Sequence, residues 1–199
     1  GYEPPGYEDF DFSPGWWLHQ ERTSRVAAAS SGKLDAKGKA QVMALLDPGQ
    51  TTGPLAAVLE AGVMSPERQR LFGRSTAIVH RSNLYFGIKP KSFFASTGQA
   101  WQASVVAVRP DGAVAGGLDA QYKLVRRDWL SVQRAGVAGR LEWVTEQRDV
   151  TVATGSWRTD ASTFTWTFTP VQSGQYYFSA SGADEQGRPA ESAVFFYAL

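Results

Sequence analysis

From Phe164 to Phe168 the chain alternates apolar rings with threonines: Phe164, Trp166 and Phe168 fall on one side, Thr163, Thr165, Thr167 and Thr169 on the other. This is the period of a strand with one buried and one wet face, and β-branched Thr suits the wet one. Trp101, Ala103, Val105 and Ala107 repeat the pattern against Gln102 and Ser104. Further strands are predicted near 119–130, 140–153 and 175–181. A last one, 190–199, comes after the polar turn Asp184–Gly187 and runs to the end of the chain. The turns between them carry Pro110-Asp111-Gly112, Gly155, Pro170, Gly174 and Gly187. About seven antiparallel strands after residue 83, with no helical period between them, predict a β-sandwich.

The first 82 residues are less regular. Residues 1–18 are aromatic, acidic and Pro-rich, and are expected to form a loop that packs its rings on a sheet. Leu34–Ala40 reads as a turn into a strand, Gln41–Leu46. Leu55–Met64 suits either a helix or a buried strand, and Gly73–Arg81 a β-branched strand. Four or five strands are too few to close a second sandwich. The expected division is therefore 1–82, an incomplete sandwich, and 83–199, a complete seven-stranded one, joined near residues 82–92. A first residue that is Gly and an ending on a strand suggest a piece of something longer.

Composition narrows the chemistry. A hydrophobic content of 43% supports a core, and a net charge of +1 leaves no basic mass for nucleic acid. The densest basic cluster, Lys123, Arg126 and Arg127, is answered by Asp128 and is expected on a solvated strand edge. No run reaches the ~18 apolar residues of a membrane helix. Cysteine is absent, which removes disulfides, thiolate metal sites and cysteine nucleophiles from this segment.

The motifs that carry catalysis are missing or incomplete. There are two histidines, His19 and His80, and no G-x-S-x-G elbow. Gly32–Lys39 imitates a phosphate loop, but its spacing is too long and Ala40 stands where a hydroxyl must meet magnesium. Glu8, Asp9 and Asp11 do not have the spacing of a calcium loop. The carboxylates Asp111, Asp119, Asp128, Glu142, Glu146, Asp149, Asp160, Asp184 and Glu185 leave a glycosidase pair open, because such a pair need only meet in space. Among the tryptophans, Trp101, Trp143 and Trp166 alternate with polar neighbours and are expected in a core. Trp129 and Trp157 are the candidates for an interface. Gln133–Arg140 is expected as an exposed hairpin loop carrying Arg134 and Arg140.

Asn83-Leu84-Tyr85-Phe86-Gly87-Ile88-Lys89-Pro90 resembles the joint between consecutive macroglobulin domains of bacterial alpha-2-macroglobulins. The segments after this joint are similar in order and spacing: Val108–Gly116, Leu124–Trp129, Thr167–Pro170 with Ser173–Tyr176, and Ala183–Arg188 before an aromatic strand. Pro5–Phe10 and Leu34–Ala40 resemble the latter part of the preceding domain. The resemblance implies tandem immunoglobulin-like sandwiches of macroglobulin type, part of a large periplasmic, often lipid-anchored protein that traps proteases. In that family a protease cuts a bait segment, the domains rearrange, and a Cys–Gln thioester can capture the attacker. None of the residues that do this chemistry matches here, so the implied role is a non-enzymatic scaffold without cofactor or metal. Its implied partners are neighbouring domains of the parent chain and, through the full-length protein, target proteases. Nucleic acid and direct membrane contact are not implied. The competing reading is a carbohydrate-binding or adhesin-type module of a larger secreted protein, with exposed tryptophans stacking on sugars.

Overall fold

The computed structural model describes residues 2–15, 24, 26–46, 53–135, 141–160 and 163–199. Among them the chain forms ten strands and no helix. β1 (Leu55–Met64) and β2 (Arg70–Val79) make a hairpin in register from Leu55↔Val79 to Met64↔Arg70. Leu55–Met64 is thus a strand: an antiparallel partner runs beside it in register along its whole length and takes the backbone groups that face it, which its alanines alone do not decide. Next in the chain come β3 (Tyr85–Pro90), the two-residue β4 (Phe94–Ala95), β5 (Trp101–Val108), β6 (Asp119–Ala135), β7 (Leu141–Arg158), β8 (Phe164–Phe168), β9 (Gly174–Ala183) and β10 (Pro189–Ala198).

β3, β5 and β8 form one sheet, in the order β3-β5-β8; the other runs β4-β10-β9-β6-β7. The inward faces meet in a single core. Phe86, Ile88, Trp101, Val105 and Trp166 come from the three-stranded sheet and Leu124, Tyr176, Phe178, Val194 and Phe196 from the five-stranded one. Trp101 lies flat on Phe196 with ring centroids 4.0 Å apart, and Trp166 on Phe178 at 4.7 Å. The Trp101 indole N–H, which burial would otherwise orphan, donates to the Ser92 carbonyl at 2.7 Å. The alternation of Trp101–Ala107 and of Phe164–Phe168 is the alternation of this packing. The sandwich holds eight strands rather than the expected seven, because Phe94–Ala95 adds a short parallel pairing to the edge of β10.

A third layer covers the outer face of the small sheet. Phe12 packs with Tyr85, Val106 and Val108, and Tyr2, Tyr7 and Phe10 lie against them. Backbone bonds between Asp11 and Ile88, both 2.9 Å, fasten this strap to β3. The aromatic first segment thus packs on a sheet as its composition predicts. Two other expectations for the first 82 residues do not hold. Gln41–Leu46 is exposed and forms no strand, and two strands stand there among the described residues, not four or five. The physical reason is the same for both: an apolar stretch becomes a strand only when a neighbour takes its N–H and C=O groups. The turn before it does form. Asp35 accepts from the backbone N–H of Lys37 and Lys39, both at 2.8 Å, with Gly38 at φ 72°.

At the joint, the buried Asp184 ties the two segments together. Its carboxylate accepts from the Asn83 N–H (2.9 Å), the Ser82 hydroxyl (3.2 Å) and Arg188 Nε (2.7 Å), and within its own turn from the Arg188 N–H (2.9 Å) and the Gln186 N–H (3.0 Å). Burial works to raise its pKa but is outweighed by these donors, which hold it well below the carboxylate range.

Candidate docking surface

β6 and β7 are 17 and 18 residues long, but β9 pairs with β6 only as far as Arg127↔Gln175. Beyond that point β6 and β7 continue as a two-stranded ribbon that leaves the sandwich. The strand expected at 140–153 covers the ribbon half of β7, whereas the one expected at 119–130 stops β6 short, where both faces are wet and no apolar period marks it.

Two ion pairs brace its root. On one face Arg127 forks onto Asp149 at 2.8 and 2.9 Å, lies 4.4 Å over the Tyr177 ring and donates to its hydroxyl at 3.1 Å. On the other, Arg126 forks onto Asp128 at 2.7 and 2.8 Å. The Arg127 hydrogen bond lowers the Asp149 pKa, with burial opposing it, and the Arg126 bond does the same to Asp128. The basic cluster is therefore not a strand edge. β6 is an interior strand, Arg127 is 8% exposed, and its carboxylate comes from β7.

Along the ribbon, Trp129 pairs with Gln147, Ser131 with Thr145, and Gln133 with Trp143. Paired positions two apart share a face, so these six side chains form one surface with no charge on it. Trp129 is 59% exposed and Trp143 70%. Asp128 opposite Arg148 and Leu130 opposite Glu146 stand on the other face, where Arg134 also pairs with Glu146.

Two of the sequence-predicted positions change character. Trp143, expected in the core, stands with Trp129 on the sheet face that carries Arg127 and Tyr177, opposite the face from which Leu124, Tyr176 and Phe178 enter the core. Trp157, expected at an interface, stacks on Phe164 at 4.7 Å and meets Phe86 edge-on at 5.9 Å, so its ring is used by the core. Trp129 is exposed as its interface reading requires. Arg134 lies in β6 rather than in a loop. Arg140 and His19 lie outside the described residues.

The candidate catalytic groups are engaged elsewhere. Asp119, Asp128, Glu146, Asp149, Asp184 and Glu185 each pair with an arginine. A general acid needs a raised pKa, and Asp128, Asp149 and Asp184 are lowered. His80 shares a 2.8 Å hydrogen bond with the Tyr85 hydroxyl and meets the Tyr2 ring edge-on. Asp9 pairs with Lys89 at 2.9 Å, and Asp11 accepts from the Ser13 N–H at 2.7 Å. No cluster of three metal-ligating side chains occurs among the described residues.

The geometry defines a β-sandwich with an aromatic strap and a two-stranded projecting ribbon. The family model for bacterial macroglobulin domain 6 matches residues 87–198. The chain belongs to that family. Among solved structures it is similar to Salmonella alpha-2-macroglobulin reacted with methylamine, with a TM-score of 0.66 at 16% identity. It is also similar to the native conformation of E. coli alpha-2-macroglobulin, with a TM-score of 0.67 at 17% identity. Both likenesses cover 98% of this chain and 13% of the other. E. coli alpha-2-macroglobulin activated by porcine elastase is similar over 75% of this chain and 13% of the other, with a TM-score of 0.52 at 18% identity. At such identities the likeness establishes the fold. No curated protein matches the sequence. The chain spans 13% of the length of the alpha-2-macroglobulins it resembles.

Proposed function

We propose that this chain is a non-catalytic scaffold segment of a bacterial alpha-2-macroglobulin-like protease trap located in the periplasm or cell envelope. The observation that carries the reading is the family match over 87–198, together with the fold likeness over 98% of the chain to two bacterial alpha-2-macroglobulins. That the E. coli protein was solved after activation by elastase supports proteases as the target of the full-length protein. The scaffold's own partners are neighbouring domains of the parent chain.

Residues 1–82 are, on this reading, part of one sandwich that other strands complete, and 83–199 a sandwich complete in itself. The β1–β2 hairpin supports the first half. Leu55, Ala57, Leu59, Ala61 and Val63 share one face with Val79, Ala77, Ser75, Gly73 and Leu71, a surface without charge. The opposite face carries Arg70 and the Glu60–Arg74 pair. One uncharged, mostly apolar face is what a sheet presents to a second sheet across a core, and a lone hairpin is marginal in water.

The test is to incubate the full-length parent with elastase or trypsin, then assay the protease on a large protein substrate and on a small peptide. The expected result is loss of activity on the protein with retention on the peptide. Undiminished activity on both overturns the reading.

A further inference from the structure

The uncharged face of the β6–β7 ribbon is accounted for neither by the sandwich core nor by any candidate catalytic group. We propose that it is a docking arm, seated on an uncharged, largely apolar surface of another domain of the same parent polypeptide. That surface would offer carbonyl or hydroxyl acceptors to the two indole N–H groups. The inference rests on the multidomain reading of the proposed function and adds to it the surface used and the chemistry of what it meets.

Three observations carry it. The first is composition: Trp129, Ser131, Gln133, Trp143, Thr145 and Gln147 face one way, and the charged Asp128, Arg148 and Glu146 belong to the other face. Interface centres are depleted in charge and anchored by tryptophan. The charges next to it on the same face, Arg127 and Asp149, are spent on each other, so an acidic peptide or a nucleic acid would find no free counter-charge among these six residues.

The second is stiffness. The Arg127–Asp149–Tyr177 contacts tie both strands of the ribbon to β9 where it leaves the sheet. An arm held in place before contact loses little freedom on docking.

The third is area, which selects the occupant. Two indoles bury at most about 150–250 Å² each, and they lie roughly 13 Å apart along the strands, four residues at ~3.3 Å each. The two anchors together therefore supply well under the ~800 Å² per partner that a free complex needs. A tethered partner escapes that requirement, because linkage supplies effective concentration in place of area. The related alpha-2-macroglobulins carry most of their length outside the part matched here, so in them a tethered partner is at hand.

The experiment is hydroxyl-radical footprinting of the full-length parent, read by peptide mass spectrometry at each tryptophan. Expected is oxidation of Trp129 and Trp143 as slow as that of the buried Trp101. Oxidation of both at the rate of the heat-unfolded parent overturns the proposal, and so does protection of one without the other. Protection that arises only on adding chitohexaose or cellohexaose also overturns it, in favour of a glycan site. In a Trp129→Ser, Trp143→Ser double variant, an apolar patch on another domain should gain reactivity severalfold, and no gain in any other domain overturns the docking. Running the protease assay on the same preparations separates the two claims. Protected indoles in a protein that does not inhibit proteases leave the arm standing and overturn only the trap.

Discussion

Trp166 and Trp143 stand in similar alternating sequence, yet one is core and the other is the most exposed indole among the described tryptophans. The difference is not local: Trp166 has Phe178 beneath it, and Trp143 stands with Trp129 and Arg127 on the face of its sheet turned away from the core. Trp166→Ala is expected to cost about 3–5 kcal/mol in urea denaturation, and Trp143→Ala less than about 0.5 kcal/mol. Comparable losses would contradict the placement of both. Asp184 offers a second check. Asp184→Asn keeps the size but weakens bonds made to a charge, and about 2–3 kcal/mol of stability should go at neutral pH. The native carboxyl titrates below its unfolded value of about 4. Its contribution is therefore complete above that value and is lost as pH falls toward the native one. The gap between wild type and variant should narrow as pH drops below about 4, and a gap independent of pH would show that the charge is not what matters.

Sequence pattern revealed the strands of the sandwich wherever burial imposes a period, as at Trp101–Ala107 and Phe164–Phe168. It also revealed the aromatic strap, because so many rings in so few residues need a surface. It covered the ribbon half of β7 with the strand expected at 140–153 but ended β6 early, where Gln133 and Arg134 read as a turn although they are paired strand residues, since a stretch wet on both sides leaves no periodic trace. It over-read Gln41–Leu46, where apolar residues have no partner strand. The docking surface was half legible: Trp129 stood out as hard to bury, and only the register across the hairpin brings Trp143 onto the same face. The strap can be tested through two glycines. A methyl on Gly87 would meet the Phe12 ring, and one on Gly112, at φ 83°, would meet the Pro5 carbonyl. Gly87→Ala and Gly112→Ala should each raise amide exchange in residues 2–15 while β9 and β10 stay protected. Unchanged exchange in the strap would contradict its mode of attachment.

At the scale of the whole molecule, the chain pairs a sandwich with surfaces that find no cover among the described residues: the mostly apolar face of β1–β2 and the tryptophan face of β6–β7. On the proposed function, these surfaces are where one block in a stack of domains would meet its neighbours. If the blocks belong to a protease trap, cleavage elsewhere in the parent must change how they are stacked. Small-angle X-ray scattering of the full-length parent before and after limited elastase digestion measures this most directly. The account predicts a change in radius of gyration that accompanies loss of elastase activity on protein substrates. A cleaved parent with an unchanged scattering profile and fully active elastase would contradict it.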